Sequence, residues 1–133
     1  MALIEFQVDQ GSGVSIYLQL IHQVRLALQF GMLKPGDRLP TVREVVAQVA
    51  VNPNTVHRAY RELEHDGLLV SRPGLGTFVT RAVPAALAAA TYRTLRADLE
   101  RWIRKARDHG VDDAGLAALF AHVLRENTGD VVA

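Results

Sequence analysis

The chain has 133 residues, 49% of them apolar, and a formal net charge of +1. That length suits one compact domain with a small appendage, and the charge is too small to demand or forbid a polyanionic partner, so any basic site must be local. The absence of cysteine excludes disulfide scaffolds and thiolate zinc sites, and neither the acid-bearing start "MALIEFQVDQ" nor the short run "VPAALAAA" suits a signal peptide or a membrane span, so a soluble, cytoplasmic chain is expected.

Residues Ile4, Phe6 and Val8 alternate with Glu5 and Gln7, the pattern of a short strand or an extended arm. After the flexible "GSGVS", Ser15 can cap a helix whose stripe is Ile16, Leu20, Val24, Ala27 and Leu28, with Gly31 just past its end. "LKPGDRLP" predicts a turn in which Pro35 presets one dihedral and Gly36 supplies a positive φ. "TVRE" has capping-box spacing, Thr41 to Glu44, so a second helix is expected from about Val42 to Val49, burying Val45, Val46 and Val49. Asn52 before Pro53 marks the next start, with Pro53 as first helical residue and a stop at Gly67. "LLVSR" and "GTFVTR", joined by "PGLG", read as a β-hairpin. Helix, short helix, turn, longer helix and hairpin together describe a winged helix-turn-helix, mainly α with a small β-hairpin, over residues 1–82 including the arm.

The third helix carries the functional signal. At about 100° per residue, Val56, Ala59, Tyr60 and Leu63 form an apolar stripe, while Asn54, His57, Arg58 and Arg61 fall on the far side, within roughly 100–200° of Val56. A solvated polar face is the plain alternative, but this one is cationic and amide-bearing, with Glu62, Glu64 and Asp66 outside the stripe. Arginine and asparagine pair bidentately with guanine and adenine edges, and an α-helix fits the major groove of double-stranded DNA. Asn52, Asn54 and Thr55 cluster at the helix start, where free amides and the dipole favour a phosphate; Asn52 also fits a helix cap. Glu62 is spaced as an i,i+4 ion-pair partner of Arg58. Arg43 on the second helix is placed for the DNA backbone, and Arg72 with the Gly74–Gly76 tip of the hairpin can approach a sugar-phosphate wall. His57 lacks a second histidine at ligand spacing, and nothing in the sequence calls for a metal or cofactor; no nucleophile–base pair or phosphate loop suggests an enzyme.

The stretch "LKPGDRLPTVREVVAQVAVNPNTVHRAYRELEHDGLLVSRPGLGTFV" closely resembles the DNA-binding domain of GntR-family bacterial transcriptional regulators. "GDRLPTVRE", "NPNTVHRAYRELE", "DGLL" and "GLGTFV" match the family pattern in order, across roughly residues 14–80. The "NPNTV" variant, the "IYLQL" opening and the short helical tail resemble the YtrA-like subfamily. The resemblance implies operator contacts at Arg43, Asn54, Thr55, His57 and the Gly74–Gly76 tip, and a repressor of its own operon, often one encoding an ABC-type transporter. Pro53 and His57 stand where many family members carry arginine, so one side-chain base contact is lost and another altered.

From Pro84 the composition is alanine-rich and reads as helical, with Leu95, Leu99, Trp102, Ile103 and Ala106 on one face and a break at His109–Gly110. Asp112 or Asp113 can cap a last helix bearing Leu116, Leu119, Phe120, Val123 and Leu124, and the terminal "ENTGDVVA" is expected to fray. An isolated helix pair leaves an apolar seam, so residues 83–133 are expected to be a dimerisation tail with Leu95, Leu99, Trp102, Leu116, Leu119, Phe120 and Val123 at a two-fold interface, Leu95, Trp102, Leu119 and Phe120 serving also as intrachain core. A homodimer would place two recognition helices about one DNA turn, ~34 Å, or a multiple apart on an inverted repeat. The alternative is a sensor whose tail holds a small-molecule effector; His109 and His122 read as surface residues.

Overall fold

A computed structural model describes residues 4–81 and 83–128, which fall into two compact units, Met1–Ala89 and Ala90–Ala133. The first unit holds α1 (Ile16–Gln29), α2 (Val42–Val49), α3 (Pro53–His65), β1 (Leu69–Arg72) and β2 (Gly76–Val79). The second holds α4 (Ala89–Asp108), which begins at the junction, and α5 (Asp113–Thr128). The element order in the first unit is that of the expected winged helix-turn-helix, with strands shorter than the "LLVSR" and "GTFVTR" runs.

In the first unit each helix starts where a side chain takes up an orphan amide. The Ser15 hydroxyl accepts from Leu18 N, and the Asn52 carboxamide accepts from Asn54 N at 2.8 Å with Pro53 following as first helical residue. At α2 the capping box closes in both directions: Glu44 N donates to Thr41 Oγ1, and Thr41 N donates to a Glu44 carboxylate oxygen, both at 3.1 Å. Ala50 ends α2 in the left-handed conformation (φ 51°), which makes the sharp corner between α2 and α3.

The core lies where α1 crosses α3. Leu20, Val24, Val45, Val56, Ala59 and Leu63 are fully sequestered, joined by Phe6, Leu33, Leu39, Leu69 and Val79. Val45 alone of the α2 valines is buried; Val46 and Val49 are half-exposed, contrary to the sequence expectation, because an eight-residue helix turns one narrow edge toward its neighbours. The buried Tyr60 hydroxyl donates to the Pro40 carbonyl at 2.6 Å, tying α3 to the residue that leads into α2, and burial pushes the phenol pKa well above its ordinary value.

The arm at residues 4–8 alternates in burial as expected, with Phe6 inside, but pairs with no strand. Two carboxamides, one helical turn apart on α1, take the place of a neighbouring strand. Gln23 accepts from Gln7 N and donates to Gln7 O, while Gln19 accepts from Asp9 N at 2.8 Å and donates to Asp9 O at 2.8 Å. Each side chain satisfies both polar groups of one residue's backbone, as a β ladder would.

The wing is a two-stranded antiparallel hairpin with Leu69 opposite Val79 and Arg72 opposite Gly76. Leu75 N bonds Arg72 O at 2.9 Å around Pro73 and Gly74, whose φ of 76° suits position i+2 of a type II turn. The "LKPGDRLP" turn has the expected geometry at Gly36 (φ 89°), with Asp37 N bonding Lys34 O at 3.0 Å. It then runs along β2: Gly36 N bonds Val79 O, Val79 N bonds Asp37 O, and Leu39 N bonds Thr77 O. The hairpin's outer edge is thereby covered by the segment that enters α2, which hydrophobic patterning alone does not reveal.

Residues 84–88 are not helical, although their composition predicted it. Leu87 N donates to Gln29 O at 3.0 Å, and Leu87, Pro84 and Ala85 line a groove of about 390 Å³ with Arg25, Leu28, Gln29 and Leu68. The propensity of alanine for helix is a fraction of a kcal/mol per residue, and packing on the end of α1 overrides it. The start of the segment assigned by sequence to the tail thus packs with the winged unit.

Within the second unit, Leu116 is the one buried side chain among the described residues. Gly110 (φ 86°) breaks the helices as expected, and Asp112 is the cap, its carboxylate accepting from Gly115 N at 2.8 Å. A Cβ on Gly115 would lie 2.8 Å from a Val111 methyl, so this turn admits no larger residue without shifting. Helix α5 continues to Thr128, so Glu126, Asn127 and Thr128 are helical; the remainder of the stretch expected to fray lies outside the described residues.

Candidate nucleic-acid interface

Helix α3 is anchored through Val56, Ala59, Tyr60 and Leu63, and this anchoring dictates what its opposite side presents. Asn54, His57, Arg58 and Arg61 are all exposed, and Thr55 is half-buried. Among the described residues, Arg61 and His57 make no ion pair and no side-chain hydrogen bond, so their donors are uncommitted within the unit. Asn52 is exposed and spends its side-chain oxygen on the cap. Arg43 is exposed on α2 and likewise free of any ion pair among the described residues.

Two sequence-chosen arginines are engaged. The Arg58 guanidinium lies over the Tyr17 ring of α1, 4.4 Å from its centroid, and no Arg58–Glu62 ion pair occurs among the described residues. The i,i+4 expectation fails here because a ring on the neighbouring helix offers the planar cation a face that a solvated glutamate does not. On the wing, Arg72 lies 5.6 Å from the Phe78 ring centroid. The tip beyond it is open: nothing lies within 4 Å of a Cβ placed on Gly74, and Leu75 between the two glycines is 66% exposed.

Sequence reading missed four positioning contacts. Arg38 reaches Glu44 at 2.8 Å and also packs its aliphatic stem beneath the wing, 3.7 Å from a Cβ position on Gly76. Glu44 therefore joins the cap of α2 to the wing's covering strand, and its carboxyl is held below its ordinary pKa, first by the backbone amide of Thr41 and further by the Arg38 charge. Glu64 accepts from the Ser71 hydroxyl, and Thr80 Oγ1 donates to Gly67 O at 2.7 Å, fixing the base of the wing to the end of α3. Arg25 pairs with Asp66, locking α1 to the same end. These partners sit in different elements, outside the i,i+3 and i,i+4 spacing of one helix, and leave no periodic signal.

The result is one exposed cationic and amide-bearing helix face, a neighbouring helix with a free arginine, and a glycine-tipped hairpin, all on one anchored core. Residues 16–79 match the model of the bacterial regulatory proteins of the gntR family. Over 106 residues the chain is 36% identical to the transcriptional repressor YtrA of Bacillus subtilis, spanning 80% of this chain and 82% of that one. This chain belongs to the GntR family. It is also similar to the solved structure of YtrA from Sulfolobus acidocaldarius, described as a GntR-family transcription factor, with a TM-score of 0.55 and 30% identity over 76% of this chain and 99% of that one. The DNA-binding domain of AraR, solved in complex with operator ORX1, matches with a TM-score of 0.53 and 28% identity, covering 58% of this chain and 99% of that one. As a GntR member of YtrA type, the chain has a mainly helical architecture with a winged DNA-binding fold and a C-terminal helical region. Among the described residues, no helix is long and apolar enough to cross a membrane, and no group of His, Cys, Asp or Glu is placed to hold a metal ion.

Proposed function

We propose that the chain is a sequence-specific transcriptional repressor, without enzymatic activity, that acts in the cytoplasm as a homodimer and occludes an operator built as an inverted repeat. The observation that carries this reading is the uncommitted face of α3, where Arg61, His57 and Asn54 stand exposed opposite a stripe of four buried residues. In this reading α3 lies in the major groove with Asn54, Thr55, His57 and Arg61 toward base edges, Asn52 and Arg43 meet phosphates, and Arg72 with Gly74 and Gly76 meets the adjacent backbone. AraR bound to its operator and the repressor YtrA support DNA as the partner.

Residues 90–133 serve dimerisation. Leu95, Leu99, Leu119, Phe120 and Val123 are 43–53% exposed within their own unit, an apolar seam that a second copy would cover under two-fold symmetry. Leu116 is instead buried by its own chain, and Trp102 is half-buried. The test combines selection of bound fragments from the host genome with a mobility shift on the recovered duplex. A salt-dependent shift that survives excess mixed-sequence DNA is expected; no shift at moderate salt would remove the reading.

A second reading, a ligand-responsive regulator, has one observation in its favour: the tail unit contains apolar clefts of about 340 and 320 Å³ around Trp102 and Phe120. The charged groups at the larger one, Arg107 and Asp113, pair with each other at 2.9 Å. The same aromatic side chains belong to the seam, so dimerisation accounts for them first. A reproducible upward thermal shift with a small apolar compound, lost in Phe120→Ala, would favour the sensor.

A further inference from the structure

The cation–π contact between α1 and α3 has a consequence for how the duplex is held. We propose that Tyr17 is a positioning residue for DNA binding, and that Arg58, parked on its ring, grips a phosphate rather than reading a base. The inference rests on the DNA-binding reading above.

Arg58 lies on the exposed side of α3, but its guanidinium is drawn to α1, 4.4 Å from the Tyr17 centroid. Stacking occupies the face of the cation and leaves its edge N–H groups free. An arginine at the front of the helix, as Arg61 is, can extend toward the floor of the groove. One tethered sideways to the neighbouring helix is displaced to the flank, where the sugar-phosphate strand runs past a helix lying in the groove. A fork with its face covered and its edge exposed matches a phosphate oxygen pair.

Among the described residues, the Tyr17 ring has Arg58 as its cationic partner. Tyr17 is half-buried, packed against the core at the start of α1, and forms with Arg58, Arg61, Glu62, Glu64 and His65 the walls of an open surface depression. Glu62 and Glu64 on that rim make the placement matter: an Arg58 released from the ring falls within reach of carboxylates that would take it out of service. Glu64 is already held by Ser71, which leaves Glu62 as the competitor. The aromatic ring thus keeps the cation available for DNA.

The experiment compares wild type, Tyr17→Phe, Tyr17→Leu, Arg58→Ala and the Tyr17→Leu/Arg58→Ala double variant as full chains. Binding is measured on a mixed-sequence duplex and on a selected duplex across a salt series. Tyr17→Leu keeps apolar bulk but removes the π face, and should weaken both duplexes by roughly threefold to tenfold while lowering the salt slope by up to about one unit. Tyr17→Phe should retain wild-type affinity. Arg58→Ala should weaken both duplexes alike, and the double variant should be no worse than Arg58→Ala alone.

Additive losses in the double variant would show that Tyr17 acts on the fold and not through Arg58, which overturns the proposal. So would an Arg58→Ala loss confined to the selected duplex, since that is the signature of base reading. If wild type binds neither duplex, the DNA-binding reading fails and this one with it; if wild type binds and Tyr17→Leu is unchanged, this one fails alone. Should Tyr17→Leu melt too low to assay, Tyr17→Phe and the two-duplex behaviour of Arg58→Ala still decide the matter.

Discussion

The two compact units of this chain solve the burial problem differently. The winged unit gathers a core from α1, α2, α3, the wing and the N-terminal arm, with Leu20, Val24, Val45, Val56, Ala59 and Leu63 sealed from solvent. In the helical tail, α4 buries no side chain among its described residues and α5 buries only Leu116. Yet both are amphipathic in sequence. Amphipathicity states which face wants cover; only the number of surrounding elements decides whether the chain provides it. The first unit can support a site by its own packing, while the described residues of the second leave an apolar face exposed.

That contrast can be broken or sharpened by substitution. Leu63→Ala, in the sealed core, should destabilise the winged unit by about 2–5 kcal/mol in chemical denaturation. If that variant is no less stable than Leu95→Ala on the exposed face of α4, the contrast between the units is wrong. Leu119→Asp should leave the winged unit folded yet produce monomers that bind half-sites weakly, read by light scattering and mobility shift; a persistent dimer would move the interface elsewhere. Arg61→Ala and Arg43→Ala should each weaken operator binding by roughly 1–3 kcal/mol without lowering the melting temperature, because neither side chain supports the fold. Thr41→Ala, which opens the capping box, should cost about 1 kcal/mol of stability with no direct effect on the reading face.

Glu44 gives the comparison a pH dependence. Its carboxyl is held below the ordinary carboxylate value by Thr41 and Arg38, so the folded state binds its proton less readily than the unfolded chain does. The stability it contributes is present above the unfolded pKa and disappears as pH falls through the depressed folded value. Acid should therefore loosen the wing-to-α2 connection, and Glu44→Gln should flatten the low-pH limb of a stability–pH curve; an unchanged limb would mean that other carboxylates govern acid unfolding.

Much of the first unit was legible because its signals are local. Ser15, Thr41–Glu44, Asn52–Pro53 and Gly67 mark helix ends through bonds to residues at most a few positions away, and "PGLG" sets the hairpin turn the same way. The polar face of α3 followed from periodicity once Val56 and Leu63 were taken as core. The contacts that set the site's details run between different elements: Arg58 on Tyr17, Arg38 under Gly76, Glu64 with Ser71, and the Gln19 and Gln23 clamps on the arm. The local rule that joined Arg58 to Glu62 was correct about distance along a helix and blind to the ring across the groove. Likewise, Ala85, Ala86 and Ala88 stay out of the helix that their propensity predicts, because the end of α1 offers Leu87 a backbone bond and an apolar wall.

By itself, the sequence determined where elements begin and end, which stripe of each helix is greasy, and that the opposite side of α3 is cationic and amide-bearing. These properties follow from dihedral preferences, caps and the 3.6-residue period, all of which act within a turn or two of the chain. The tertiary structure alone decided which cations are free and which are stacked, that the arm is held by carboxamides, and that residues 84–88 stay out of the helix. Those outcomes depend on side chains meeting across tens of residues, where a partner's position is known only once the core has closed.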